Sequence, residues 1–141
     1  MATDNTGIPL NICISGGQSH ETKHAIQLVK NIGIKRKSGQ IKHRPKAVIG
    51  DKGYTGEPIR NYLKKRGIKV VIPYRSNEKA NKDKRKKIDY EHYKQRNAVE
   101  RCFNFLKEHR SVATRSDKTA RNYLAMVKLS AIRLFLRRLL N

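Results

Sequence analysis

The stretch "AVIGDKGYTGEPIRNYLKKRGIKVVIPYR", Ala47 to Arg75, decides the fold class. Ala47 to Ile49 is an apolar run too short for a helix, and Gly50 ends it, so it reads as a buried strand that delivers Asp51 at its C-terminal end. Thr55 then offers a helix N-cap, Ile59, Tyr62 and Leu63 recur on one helical face, and Gly67 supplies a stop. "IKVVIPYR", from Ile68, is a second apolar strand. Strand, helix and strand in this order predict two parallel strands joined by a right-handed crossover, which is α/β architecture.

Outward toward the N-terminus, "IPLNICIS" (Ile8 to Ser15) carries enough branched residues to read as a strand, closed by the turn at Gly16 and Gly17. Ser19 is placed to cap a helix whose first turn holds Glu21 and Thr22 and whose period runs through Ala25, Ile26, Leu28, Val29 and Ile32 to Gly33. "KRKSGQIKHRPK", Lys35 to Lys46, is basic and interrupted by Gly39 and Pro45, and reads as a loop. Toward the C-terminus, "SNEKANKDKRKK", Ser76 to Lys87, has no apolar face and reads as a charged linker. Two helices follow, "YKQRNAVERCFNFLK" (Tyr93 to Lys107) and a longer one from about Thr119 to Leu140. About three strands and four helices are thus expected. No internal repeat and no boundary between two self-sufficient cores is visible, so residues 1–141 read as one domain.

Lys and Arg number 33 against 11 Asp and Glu, a formal charge of +22 in 141 residues. That surplus exceeds what solubility asks and costs self-repulsion, so it implies a polyanionic partner, nucleic acid before anionic membrane. No run of 18 apolar residues occurs, nor a basic flank leading into a hydrophobic segment, which argues against membrane insertion and for a cytoplasmic location. Cys13 and Cys102 lie inside apolar patterns rather than in Cys-x-x-Cys spacing, so reduced core thiols are expected.

Three groups of residues have chemical potential. "HETKH", His20 to His24, fits the H-E-x-x-H zinc pattern, but polar residues fill its middle, a glycine pair precedes it and no third ligand follows; a helix N-terminus explains it better. Asp51 sits where open α/β sheets bind ligands, although an acid there can also organise a turn. On the expected helix of Tyr93 to Lys107, advancing about 100° per residue, Tyr93, Arg96, Glu100 and Lys107 form one stripe roughly 60° wide. Val99, Cys102, Phe103 and Leu106 form the neighbouring, core-facing stripe. Glu100 with Arg96, Arg101 or Lys107 could equally be an ordinary surface ion pair.

Read together, "GDKGY" at a strand end followed by Tyr93, two residues, Arg96, three residues, Glu100, six residues and Lys107 resembles the signature of bacterial insertion-sequence transposases of the DDE type, in the four-and-five superfamily. "RNAVERCFNFLK" continued by "RSVATRSDKTARNYLAMVKLSAIRLFLR" is similar to that family's C-terminal region, and "GIPLNICISGGQSHET" to its strand-and-turn segment before the second acid. The resemblance spans about Gly7 to Arg137. It implies a ribonuclease-H-like catalytic fold in which two Asp and one Glu hold two divalent ions, normally Mg²⁺ and alternatively Mn²⁺. Asp51 would be the second acid and Glu100 the third, both metal ligands. Tyr93, Arg96 and Lys107 would contact the DNA backbone at the transposon end.

In this resemblance the first Asp belongs on a strand upstream of "TGIPL", and Asp4 falls in a hairpin rather than in the triad. A partial catalytic domain is therefore expected, lacking the first strands and the first catalytic Asp, and inactive in DNA end cleavage and strand transfer by itself. Its expected partners are double-stranded DNA at transposon ends and target, and the upstream half of the same transposase or a further copy of the chain. The alternative is a non-catalytic basic DNA-binding module built on Lys35 to Lys46, Lys79 to Lys87 and the Arg-rich final helix.

Overall fold

The protein is described by a computed structural model covering residues 1–16, 21–76 and 89–140. The chain groups into two compact units, one made of Met1–Ser15 with Asn97–Asn141 and the other of Gly16–Arg96. Each has its own hydrophobic cluster. This differs from the single core expected, because the division falls inside the stretch read as one uninterrupted helix.

The unit of Gly16–Arg96 contains the β-α-β segment. Strand β5 (Ala47–Ile49) pairs in parallel with β6 (Lys69–Val71), Ala47 opposite Lys69 and Ile49 opposite Val71. Helix α2 (Glu57–Lys65) connects them. Its N-cap is Gly56, not Thr55: Gly56 has φ 152, a value that suits glycine, while the Thr55 hydroxyl accepts a hydrogen bond from Arg60. The stop at Gly67 is as expected. Gly67 adopts φ 63, its N–H donates to Lys64 and the Ile68 N–H donates to the Leu63 carbonyl, which closes the helix in a Schellman motif. Helix α1 (Glu21–Lys30) and α2 bury Ala25, Val29, Ile59 and Leu63 against Ile68 and Ile72, which flank β6. Ser19 and His20 of the N-cap and zinc-pattern readings lie outside the described residues, as does most of the linker, including the Lys79 to Lys87 tract.

The segment Lys35 to Lys46 is not simply a loop. Strands β3 (Ile34–Lys35) and β4 (Ile41–Lys42) pair antiparallel, Ile34 opposite Lys42 and Lys35 opposite Ile41. Two-residue strands with one apolar side chain each leave no period for a sequence reading to detect.

In the other unit, β1 (Ala2–Thr3) and β2 (Pro9–Asn11) form an antiparallel hairpin, so the expected strand from Ile8 to Ser15 is real but shorter. Helices α4 (Asn97–Leu106), α5 (Arg110–Thr114) and α6 (Ala120–Leu140) complete it. Thr119 caps α6 by accepting the Asn122 N–H at 3.2 Å. Cys102 and Leu106 of α4 pack with Val112 of α5 and Val127, Ala131 and Leu134 of α6. The described residues thus form six short strands in three two-stranded sheets, with six α-helices, rather than about three strands and four helices. Mixed helix and strand remains consistent with α/β.

Candidate metal-binding site

Asp51 stands one residue beyond β5, after Gly50, whose N–H donates to the Val71 carbonyl and so carries the parallel pairing to the strand end. A methyl at Gly50 would meet Ile72 at 3.4 Å and Tyr54 at 3.5 Å, ordinary van der Waals distances. The half-buried Asp51 carboxylate caps a 3-10 turn at Lys52–Tyr54, its Oδ1 accepting the Gly53 N–H at 2.7 Å. The turn-organising role expected of a strand-end acid is therefore present. It leaves ligand capacity, since an ionised carboxylate has about four lone-pair sites.

Glu100 belongs to the other unit. On α4 the buried residues are Ala98, Cys102 and Leu106, with Phe105 half-buried beside them, whereas Val99 is half-buried and Phe103 is 42% exposed. The core-facing stripe is accordingly turned from the expected one. At about 100° per residue, Glu100 and Lys107 lie roughly 150° from its centre, on the outward face and not along its border. Both are exposed.

Tyr93 and Arg96 are not on the Glu100 helix. Helix α3 (Tyr90–Lys94) ends at Gln95, whose N–H donates to His92, and the Arg96 N–H turns back to the Tyr93 carbonyl at 3.0 Å. The four-residue stripe of Tyr93, Arg96, Glu100 and Lys107 is therefore corrected: Tyr93 with Arg96 is one pair, the guanidinium 5.8 Å from the ring centroid, whereas Glu100 lies on the separate helix α4 and Lys107 one residue past its end. Asp89 caps α3 through the His92 N–H and pairs with Lys69 Nζ at 2.6 Å. The Lys69 ammonium, then the His92 N–H, hold the Asp89 carboxyl well below the usual carboxylate range.

Asp4 has a different occupation. Its Oδ1 accepts the Thr6 N–H at 2.9 Å, the Thr6 hydroxyl at 2.8 Å and the Ile8 N–H at 2.9 Å, which builds the β1–β2 turn. Among the described residues no three His, Cys, Asp or Glu side chains gather closely enough to hold a metal ion. No described helix is long and apolar enough to cross a membrane.

The family model for the transposase DDE domain matches residues 1–135. The chain belongs to that family. It is also similar to a protein named as a transposase for insertion sequence element IS402 from Burkholderia cepacia, 33% identical over 79 residues; the match covers 55% of this chain and 37% of that protein. The chain thus spans about a third of the length of that relative. No solved structure matches it.

Within this DDE domain, two arginines that sequence reasoning passed over hold the Asp51 turn. Arg60, only 7% exposed, donates through Nη2 to Thr55 Oγ1 at 3.2 Å, to the Ile72 carbonyl at 2.8 Å and to the Pro73 carbonyl at 3.1 Å. Its guanidinium stacks 3.6 Å from the centroid of the Tyr74 ring. Arg75 Nε donates to the Lys52 carbonyl at 3.1 Å. One signal was legible: Arg60 sits three residues before Leu63 beside Ile59, on the apolar side of an otherwise regular amphipathic helix. For a divalent metal, the carboxylates of Asp51 and Glu100 are hard oxygen donors of the kind that Mg²⁺ takes. They are two in number.

Proposed function

We propose that this DDE domain takes part in DNA transposition as the portion of a transposase that supplies two of three metal-binding acids, Asp51 and Glu100, to Mg²⁺-dependent DNA end cleavage and strand transfer. The observation that carries it is the Asp51 turn: a half-buried acid at the C-terminal end of a parallel strand, fixed by a 2.7 Å bond from Gly53 N–H. The domain match over residues 1–135 supports a ribonuclease-H-like fold for the whole. Asp4 is committed to its turn, and no three-ligand group is present among the described residues.

Divalent ions, Mg²⁺ or Mn²⁺, would supply there the activation of water or a 3′-hydroxyl and the neutralisation of charge on the scissile phosphate. Asp51 and Glu100 would hold them. The rigid turn presets the Asp51 oxygen, while Arg60 and Arg75 keep the turn against the end of the second strand. Lys107, on the outward face with Glu100, and the neighbouring Tyr93 and Arg96 contact the phosphate backbone of double-stranded DNA.

The test is made in the complete transposase with a duplex bearing the element's terminal repeat. Asp51→Asn and Glu100→Gln each reduce Mg²⁺-dependent cleavage to background while duplex binding in EDTA persists. Unchanged cleavage in either variant removes that residue from the site. A non-catalytic module, which the charge of +22 also favours, predicts steep salt dependence of binding and no metal effect in any variant.

A further inference from the structure

We infer that the β3–β4 hairpin is a groove-reading ribbon that inserts into the major groove of B-form duplex DNA. Residues 33–46 contain six lysines and arginines, Lys35, Arg36, Lys37, Lys42, Arg44 and Lys46, and no acid. None of the six is paired with a carboxylate among the described residues, and all but the half-buried Lys42 are exposed. Concentrating so much uncompensated charge on one protrusion costs self-repulsion that a polyanion relieves.

Shape narrows the choice of polyanion. The Arg36 N–H donates to the Gln40 carbonyl at 2.8 Å and the Gly39 N–H to the Arg36 carbonyl at 2.9 Å, with Gly39 at φ 82, so the tip is a closed turn. The base is fastened to the unit: the His43 Nδ1 lies 3.0 Å from the carbonyl oxygen of the buried Ile32, and Arg44 Nη1 donates to the Arg66 carbonyl at 3.4 Å. A tied base and a charged tip make a two-stranded probe. Strands about 4.8 Å apart, with their side chains, suit the roughly 12 Å major groove of B-DNA, whereas the major groove of A-form RNA is too deep and narrow for side chains to read.

The side chains are mixed in a way that bulk phosphate attraction alone does not ask for. Ile34 is 42% exposed opposite Lys42, and Ile41 is 57% exposed opposite Lys35, so each cross-strand pair presents one apolar and one cationic group. An aliphatic group in the major groove can contact a thymine methyl while its neighbour reaches a phosphate or a guanine edge. The inference shares duplex DNA with the proposed function and uses none of the metal site.

The test uses the whole chain in EDTA, a fluorescent DNA duplex of about 20 base pairs, and an RNA duplex of the same sequence. The triple variant Lys35→Ala/Arg36→Ala/Lys37→Ala weakens DNA duplex binding by about tenfold or more and lowers the magnitude of the log–log salt slope by about 2 to 3. A charge-matched variant, Lys64→Ala/Lys65→Ala/Lys118→Ala, leaves the slope near the parent value, and the charge-keeping variant Lys35→Arg/Arg36→Lys/Lys37→Arg retains binding. Methylation of guanine N7 in the duplex weakens the parent and has little effect on the triple alanine variant. Equal losses in the two charge-depleted variants, or equal losses by the triple alanine variant on DNA and RNA duplexes, overturn the inference. If Asp51→Asn leaves cleavage intact in the complete transposase, the metal reading fails and these EDTA measurements stand unaltered.

Discussion

The two acids proposed for the metal site are held in opposite ways. In the unit of Gly16–Arg96, Asp51 is half-buried, and its carboxylate takes part in the local fold by capping the turn at Lys52–Tyr54. In the unit of Met1–Ser15 with Asn97–Asn141, Glu100 is exposed on a helix whose opposite side packs through Ala98, Cys102 and Leu106. One acid is positioned by hydrogen bonding of its own side chain, the other by the rigidity of a helix anchored elsewhere. Each acid can be disturbed separately.

The largest effect comes from the two hydrophobic clusters. Leu63 and Leu106 are 0% and 1% exposed, one in each cluster. Truncation of either to alanine costs about 2–5 kcal/mol, the transfer term plus the cavity. The separation of clusters predicts where the damage shows. Hydrogen exchange after Leu63→Ala accelerates at the amides of α2 and β6, and after Leu106→Ala at those of α4 and α6. Deprotection of the same amides by both variants would mean one cooperative core instead of two.

That division also explains what could be read in the sequence. The parallel pair, α2 with its glycine stop, and α6 were legible because apolar runs and periodicity report burial over many residues. The break between α3 and α4 was not, because "YKQRNAVERCFNFLK" keeps a helical composition throughout and has neither glycine nor proline at Gln95 and Arg96. What ends α3 is a hydrogen-bond pattern, Gln95 N–H to His92 and Arg96 N–H to Tyr93. A misplaced helix break also misplaced the buried stripe, and Glu100 moved from the border of the packed face to the outward one. Asp51 survived such errors because a strand end marked by Gly50 fixes its place within a residue. The two-residue strands β1, β3 and β4 offered no period, and Arg60 was hidden by the expectation that arginines are solvated.

pH separates the units by smaller effects. Burial, and secondarily the charge of Asp4, push the Cys102 thiol up to about 11. A raised thiol pKa favours the neutral form in the folded state, so its contribution to stability is complete below the ordinary thiol value, about 8.5, and is lost as pH rises toward 11. Asp89 has the reverse sign. Its depressed pKa contributes stability that is present above the ordinary value of about 3.9 and is lost as pH falls below it, to an extent that salt screens because the group is exposed. Urea midpoints against pH should show the alkaline decline abolished by Cys102→Ala and the first part of the acid decline reduced by Lys69→Ala. Iodoacetamide at pH 8.5 should modify the exposed Cys13 well before the buried Cys102. Equal labelling of the two thiols would place Cys102 outside the packed cluster.

The smallest effects are the most informative about the acids themselves. Asp51→Ala removes the acceptor for Gly53 N–H and costs about 1 kcal/mol, as for other lost caps, whereas Asp51→Asn keeps an oxygen at Oδ1 and costs a few tenths. Glu100→Ala and Glu100→Gln stay within about 0.5 kcal/mol, because an exposed helix position contributes little even where a surface ion pair is made. Thermal unfolding of the four variants therefore ranks Asp51→Ala alone as measurably destabilised. If Glu100→Ala costs as much as Asp51→Ala, Glu100 has a packing or pairing role in its unit, and the contrast between a capped acid and a helix-borne one fails. If the ranking holds, Asp51→Asn and Glu100→Gln remove carboxylate charge while leaving the folded state nearly unaltered. Any loss of cleavage they produce in the complete transposase then belongs to the chemistry of the site and not to the stability of the chain.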